Sequence, residues 1–346
     1  MPTISLQDYL SRFSGLRVAV VGDLMLDKYI FGQATRISQE APVPVVHVTR
    51  QQAVPGGAAN VARNLVSLGA HAEVFGAVAD DPDGQELLRL LRQDGVGTDS
   101  AVLFDDRSTT VKTRILAASQ QVVRVDFESA APFPAHLHDE LCDRLEQRLA
   151  SGELNAIILE DYAKGLFTRE LMARIITLAQ RHHVLITLDP HASHPFNTPG
   201  LTIMTPNRKE AFTLAAASDS DESPDSNALS PDGSENERRR VGAVGSRLMA
   251  LWDLDYLLIT LGGRGMALFR RGGGDAFEHI PTVARQVFDV SGAGDTVMAT
   301  VVLAMLAQAP VGDACRIANV AAGVVVGRVG TSAIEADVLA RELATR

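Results

Sequence analysis

The sequence predicts an α/β protein with a mostly parallel central sheet, helices on both faces and a small β lid. Three observations carry that expectation. From Ala72 onward, strand-sized apolar runs alternate with amphipathic helices, the rhythm of a doubly covered parallel sheet. The runs end in polar clusters (Glu160-Asp161-Tyr162, Asp189-Pro190-His191, Thr205-Pro206-Asn207), where open α/β sheets bind ligands. Three alternating β pieces, Pro42 to Val48, Thr110 to Ile115 and Gln121 to Phe127, lie outside that rhythm and read as a projecting lid.

The chain has 346 residues, 46% of them hydrophobic, enough for a large core. A net charge of −10 argues against a nucleic-acid or acidic-membrane partner. Cys142 and Cys315 are far apart and offer neither zinc spacing nor a disulfide framework, which fits a reducing cytosol. Met1 to Ser14 is polar, and no apolar run approaches ~20 residues, so the expectation is a soluble cytoplasmic protein.

In chain order, Leu16 to Val21 is a buried strand that delivers Gly22-Asp23, with Asp27 close behind; carboxylates at a strand end suit sugar hydroxyls. Gly56-Gly57-Ala58-Ala59-Asn60 opens a helix carried by Val61, Leu65 and Leu68 and capped by Gly69. The glycine pair lets a ligand approach the backbone, and Asn60 offers both donor and acceptor. A strand at Val74 to Val78 and a helix at Gly84 to Gln93 follow. Beyond the lid come helices at His136 to Leu149 and Thr168 to Arg181, and strands at Ala156 to Leu159, Val184 to Leu188 and Leu201 to Met204.

Ser218 to Arg240 breaks the pattern. Rich in Ser, Asp, Glu and Pro, it buries too little to offset its ordering entropy and reads as a disordered insertion. A helix (Val241 to Leu251), a strand (Tyr256 to Thr260) and two antiparallel strands (Ala267 to Arg270, Phe277 to Pro281) resume the fold. A strand-like run, Thr282 to Phe288, then leads into Asp289-Val-Ser-Gly-Ala-Gly-Asp295 and an Ala-rich helix, Thr296 to Leu306. Helices from Asp313 to Val326 and Glu335 to Thr345 close the chain.

Chemistry concentrates at Asp289 to Asp295. Gly292 and Gly294 allow a tight turn with exposed amides, so the helix start can hold an anion beside the Asp295 carboxylate. That pairing suits phosphoryl transfer: a base for a hydroxyl proton next to fixed dipoles for the moving phosphate. Other phosphate motifs fail. None of the four lysines follows a glycine as a Walker A loop requires, and Gly263-Arg264-Gly265 lacks the third glycine of a dinucleotide fingerprint. His191 and His194 have no third metal ligand, and nothing supports a serine nucleophile elbow or a haem site.

Together, Gly56 to Asn60, Asn207-Arg208-Lys209-Glu210, Thr260-Leu-Gly-Gly-Arg-Gly265 and Asp289 to Asp295 resemble the PfkB/ribokinase family of sugar kinases, from about Arg17 to Thr331. Gly22 to Asp27, Arg36 to Val45, Pro55 to Asn64, Gln120 to Glu128, Asp161 to Gly165 and Gly323 to Ser332 look like the branch that phosphorylates D-glycero-β-D-manno-heptose 7-phosphate to the 1,7-bisphosphate. Such kinases are in some bacteria fused to a nucleotidyltransferase, and the expectation here is the kinase part alone.

The resemblance implies a ribokinase-like single domain over 1–346, with a lid from about 42–54 and 108–128 and the insertion at 218–240. It implies Asp295 as the base and the amides of Gly292, Ala293 and Gly294 as the anion hole. ATP would lie on Asn207, Arg208, Lys209, Glu210, Thr260, Gly262, Gly263, Gly265 and Asn319, with Glu210 ordering Mg²⁺ through water. The sugar would meet Asp23, Asp27, Gly57, Asn60 and Asn64, and Lys112, Arg114 and Arg124 supply cations for its phosphate. A monovalent cation such as K⁺ near Asp289 and Ser291 and a homodimer through the lid are further expectations. Three residues depart from the branch's usual pattern: Glu160 stands for Ser, His191 for Lys and Gln39 for Pro. The rival readings are a kinase for another sugar and a non-catalytic binding protein.

Overall fold

The computed structural model describes residues 5–104, 106–118, 120–216, 235–284, 287–328 and 330–345. After a short 3₁₀ turn, β1 (Arg17–Gly22) runs into the core, and β2 (Leu24–Ile37) and β3 (Pro44–Gly57) form a long hairpin. Next come α1 (Ala58–Ser67), β4 (His71–Phe75), β5 (Ala77–Val78), α2 (Pro82–Gln93), β6 (Val102–Leu103), β7 (Thr110–Ala117) and β8 (Gln120–Phe127). The middle of the chain adds α3 (Ala135–Ala150), β9 (Ala156–Glu160), α4 (Arg169–Arg181), β10 (Leu185–Asp189), β11 (Ile203–Met204) and α5 (Arg208–Ala216). It closes with α6 (Glu235–Leu251), β12 (Tyr256–Thr260), β13 (Met266–Arg270), β14 (Glu278–Ile280), α7 (Ala293–Leu306), α8 (Val311–Val325) and α9 (Ala336–Ala344).

Eight strands make the main sheet in the order β14-β13-β12-β11-β10-β9-β1-β4. From β4 to β12 every pairing is parallel; β13 and β14 add an antiparallel edge. The parallel strands are Val-, Ile- and Leu-rich because helices cover both faces: α1 and α7 pack over one core and α3, α4 and α6 over the other. Asp295 to Ala304 of α7 are all buried, so this helix runs through the interior and only its first turn reaches the cleft.

The lid is a second sheet, β3-β2-β7-β8. It is larger than the expected segments, because Leu24–Ile37 is itself a strand and places Asp27 inside the lid rather than in a loop after β1. Along β2 the burial passes from closed to open, which hides any single period in the sequence. The expected strand at Thr282 to Phe288 is a correction. Its described residues form none; the apolar alternation finds no strand edge, and the amides of Phe288 and Asp289 donate to the Val326 carbonyl instead. The expected insertion lies outside the described residues as far as residue 234, but from Glu235 the chain is helix, so the last six residues of the predicted 218–240 segment belong to α6. No helix among the described residues is long and apolar enough to cross a membrane.

Candidate functional site

The candidate site lies where the first turns of α1 and α7 meet the segment after β9, beside the aligned carboxyl ends of β1, β9 and β10. Gly292, at φ 78°, starts α7; a Cβ there would stand 2.8 Å from Asn60 Nδ2, so only glycine fits. Asp289 secures the loop: its Oδ1 accepts from the Ser291 amide at 2.9 Å and its Oδ2 from the Gly330 amide at 3.0 Å. The Ala293 amide is spent on the Val290 carbonyl at 3.2 Å. The Gly292 and Gly294 amides have no acceptor among the described residues, leaving two of the three expected donors open to an anion.

Asp295 is buried in that turn. Asn60 Nδ2 donates to its Oδ2 at 2.6 Å and the Tyr162 hydroxyl to its Oδ1 at 2.7 Å. Burial raises its pKa above the ordinary carboxylate range, the Asn60 and Tyr162 bonds oppose that, and Asp27 adds to it. Sequence reasoning did not single out Tyr162, whose bond to Asp295 crosses 133 residues.

Four of the five residues expected at the sugar gather here, with uneven access. Asp27 accepts from Arg114 Nη1 at 2.6 Å and from the Thr331 hydroxyl at 3.3 Å. Gly57, at φ 56°, ends the lid and caps α1; a Cβ would stand 2.8 Å from the Asp23 carbonyl. Asn64 is fully buried, receiving Thr296 Oγ1 at 3.1 Å and the Ile334 amide at 3.3 Å, so it ties α1 to α7 and does not face the cleft. Asp23 spends its oxygens on the turn after β9: Oδ2 takes the Tyr162 and Lys164 amides at 2.9 and 3.1 Å, and Oδ1 the Leu166 amide at 3.3 Å. All three lid cations already have partners, Arg114 with Asp27 at 2.6 Å, Lys112 with Glu128 at 3.3 Å and Arg124 with Asp126 at 2.9 Å. Lys164 reaches the same Glu128 at 2.9 Å and links lid to core.

On the other flank, Asn207 and Glu210 form a capping box for α5. The Asn207 amide donates to Glu210 Oε2 at 2.8 Å and the Glu210 amide to Asn207 Oδ1 at 3.0 Å. Asn207 also bridges to Thr260, which joins that turn to the 260–265 loop. Gly262 and Gly263 are exposed with open space beside them, whereas a Cβ at Gly265 would meet the Ile280 carbonyl at 2.0 Å. Arg208 turns away to Glu237 on α6, with Nε at 2.8 Å and Nη2 at 3.2 Å; Arg264 joins the same carboxylate at 3.3 Å. Lys209 is exposed, and Asn319 donates to the Pro281 carbonyl at 2.7 Å, pinning α8 to the strand exit.

Glu160 and Asp189 are in register at the ends of β9 and β10. Glu160 is fully buried and neither of its oxygens has a hydrogen-bond partner. Burial, then Asp189 and Asp295, raises its pKa well above the carboxylate range. Asp189 is pushed well up too, by burial and then Glu210. Among the described residues no three His, Cys, Asp or Glu side chains converge as a metal cage. The oxygen donors still suit Mg²⁺, which binds through one or two carboxylates with water and phosphate completing its shell. Across the turn, Asp161 Oδ2 meets His194 Nδ1 at 2.7 Å, a bond that raises the His194 pKa, while burial lowers that of His191.

Residues 16–337 match the profile of the pfkB family carbohydrate kinases. The chain belongs to the pfkB family. It is a carbohydrate kinase. A bifunctional protein HldE from Geobacter metallireducens is 42% identical over 92% of this chain, and one from Geobacter sulfurreducens 40% identical over 95%. The chain spans only 61% and 63% of the length of these two relatives. A ribokinase-like fold is shared with a putative ribokinase from Agrobacterium tumefaciens (TM-score 0.74, 19% identity, covering 96% of this chain and 98% of that one). Phosphofructokinase-2 from Escherichia coli, solved in complex with potassium, shares it as well (TM-score 0.72, 17% identity, 95% and 99%). In this pfkB member Gly292 caps α7 and Asp295 lies in the first turn of that helix.

Proposed function

We propose that the chain phosphorylates a sugar phosphate from ATP, and that its substrate is D-glycero-β-D-manno-heptose 7-phosphate, giving the 1,7-bisphosphate. The observation that carries this reading is the buried Asp295 carboxylate in the same first turn as the open amides of Gly292 and Gly294. Asp295 takes the proton of the anomeric hydroxyl as that oxygen bonds the γ-phosphorus; the bond from the γ-phosphorus to the β,γ-bridging oxygen breaks and ADP leaves. The two amides hold the transferring phosphoryl oxygens through short, fixed dipoles. Asn60 and Asp27 orient the ring, while Arg114, Lys112 and Arg124 exchange lid carboxylates for the distal phosphate. The nucleotide rests on the Asn207–Glu210 cap and the open Gly262-Gly263 shelf. Mg²⁺ supplies charge neutralisation on the phosphates, with Glu210 and Asp189 as nearby carboxylates. A K⁺ at the Asp289 loop belongs to the same proposal.

The HldE relatives and the heptose-type motifs support the heptose choice over another sugar of the family. Glu160 and His191 are the specific reasons to test it, since they place an acid and a titratable ring where the branch usually has Ser and Lys. A panel of sugars and sugar phosphates with coupled ADP detection decides the matter. The heptose 7-phosphate should be turned over fastest; no turnover of it beside rapid turnover of another sugar would overturn the choice.

A further inference from the structure

We infer that Tyr162 positions the Asp295 carboxylate through its hydroxyl, and that Asp23 acts on the reaction indirectly, by holding the turn that carries Tyr162. The inference rests on the proposal that Asp295 is the base. Both Asp295 oxygens are engaged from outside α7, Oδ1 by Tyr162 at 2.7 Å and Oδ2 by Asn60 at 2.6 Å. A buried carboxylate with two fixed donors keeps one rotamer and stays ionised at a lower pH than burial alone would allow. The phenol is a donor throughout, because burial and then Asp295 hold its own pKa well above the usual tyrosine range.

The turn bearing Tyr162 is fixed from several directions. Asp23 takes the amides of residues 162, 164 and 166, Asp161 Oδ1 takes the Ala163 amide at 2.8 Å, and Arg107 Nη2 donates to the Lys164 carbonyl at 2.8 Å. Ala163 is held at φ 54°, in the left-handed region an alanine avoids. At Gly165 a Cβ would stand 2.0 Å from the Ala131 carbonyl. A surface turn with only a packing role does not require three amides on one buried carboxylate. Rigid placement of the one side chain that leaves the turn for Asp295 accounts for it.

Tyr162→Phe keeps the ring and removes only the donor. The groups acting on Asp295 are then two donors, Asn60 on α1 and the residue's own amide, against Asp27 on β2, Glu160 on β9 and Asp189 on β10. The pH profile of kcat should keep its shape with the acid limb moved to higher pH, and kcat at neutral pH should fall about tenfold with KM for ATP unchanged. Asp23→Asn loses one face of the amide cradle and should move the limb in the same direction. A Tyr162→Phe enzyme with wild-type kcat and an unmoved limb overturns the positioning role. An Asp23→Asn enzyme with raised sugar KM and an unmoved limb overturns the indirect role of Asp23. Asp295→Asn in the same series separates the two levels. If it is inactive while Tyr162→Phe matches wild type, only the positioning idea fails; if it remains active, the base assignment fails first.

Discussion

Glu160 has no solvent exposure and no partner for either oxygen, an arrangement that an ionised carboxylate tolerates poorly. Its folded pKa lies well above its unfolded value, so the folded state holds the extra proton and stability falls as pH rises through that window. Glu160→Gln should therefore raise Tm at alkaline pH, by an amount equivalent to roughly 1–3 kcal/mol, with the gain vanishing below the ordinary glutamate range. Equal gains at every pH, read by thermal melts from acid to alkaline buffer, would show that Glu160 is not held protonated. At this scale the sequence was legible where the signal is local. Asp295 and Gly292 sit where a strand-free glycine turn opens a helix, and the turn itself announces the site. For Asp23 the sequence could not show its second task, because a carboxylate at a strand end looks the same whether or not it also takes three backbone amides. Tyr162 was legible only as part of a polar strand end, and nothing local marked its bond to Asp295.

Helix α6 is the element the sequence hid most. Its first turn lies in the polar stretch that reads as insertion, yet Glu237 within it is buried and staples Arg208 at the start of α5 to Arg264 in the 262–265 loop. Both arms of the proposed nucleotide shelf are thus fixed to one carboxylate. Arg208 was expected on ATP because it sits inside the Asn207–Glu210 motif, and in the structure its guanidinium pairs with Glu237 on α6. Glu237→Gln should raise KM for ATP about tenfold, leave KM for the sugar within about twofold, and weaken ADP binding in calorimetry. Unchanged ADP affinity in a folded variant would reduce the staple to a stability feature. The β2 strand was missed for a related reason, since its polar residues are tolerated only because the lid is open on one side.

At the scale of the molecule, the central sheet was legible from its βα rhythm and the lid from its exposed alternation; their extents depended on pairings no single segment encodes. The lid leaves β3 and β8 as free edges and exposes Val123, Val125 and Phe127 at 44%, 39% and 62% on one face of β8. We propose that a second copy covers this face, since open edges with exposed apolar residues invite pairing. Light scattering at micromolar concentration should give a dimer for the wild type and a monomer for Val125→Asp/Phe127→Asp; a monomeric wild type contradicts the proposal.

We propose that this pfkB chain transfers the γ-phosphoryl group of ATP to the anomeric oxygen of a heptose phosphate with Asp295 as base. Phosphorus NMR of the product tests it most directly, using the wild type and Asp295→Asn with ATP, Mg²⁺ and D-glycero-β-D-manno-heptose 7-phosphate. A new anomeric phosphate resonance formed in step with ADP by the wild type, and slowed by a factor of about 10² to 10⁴ in Asp295→Asn, is the predicted result. An Asp295→Asn enzyme that produces the same resonance at the wild-type rate, or a wild type that yields ADP with no anomeric phosphate, would contradict it.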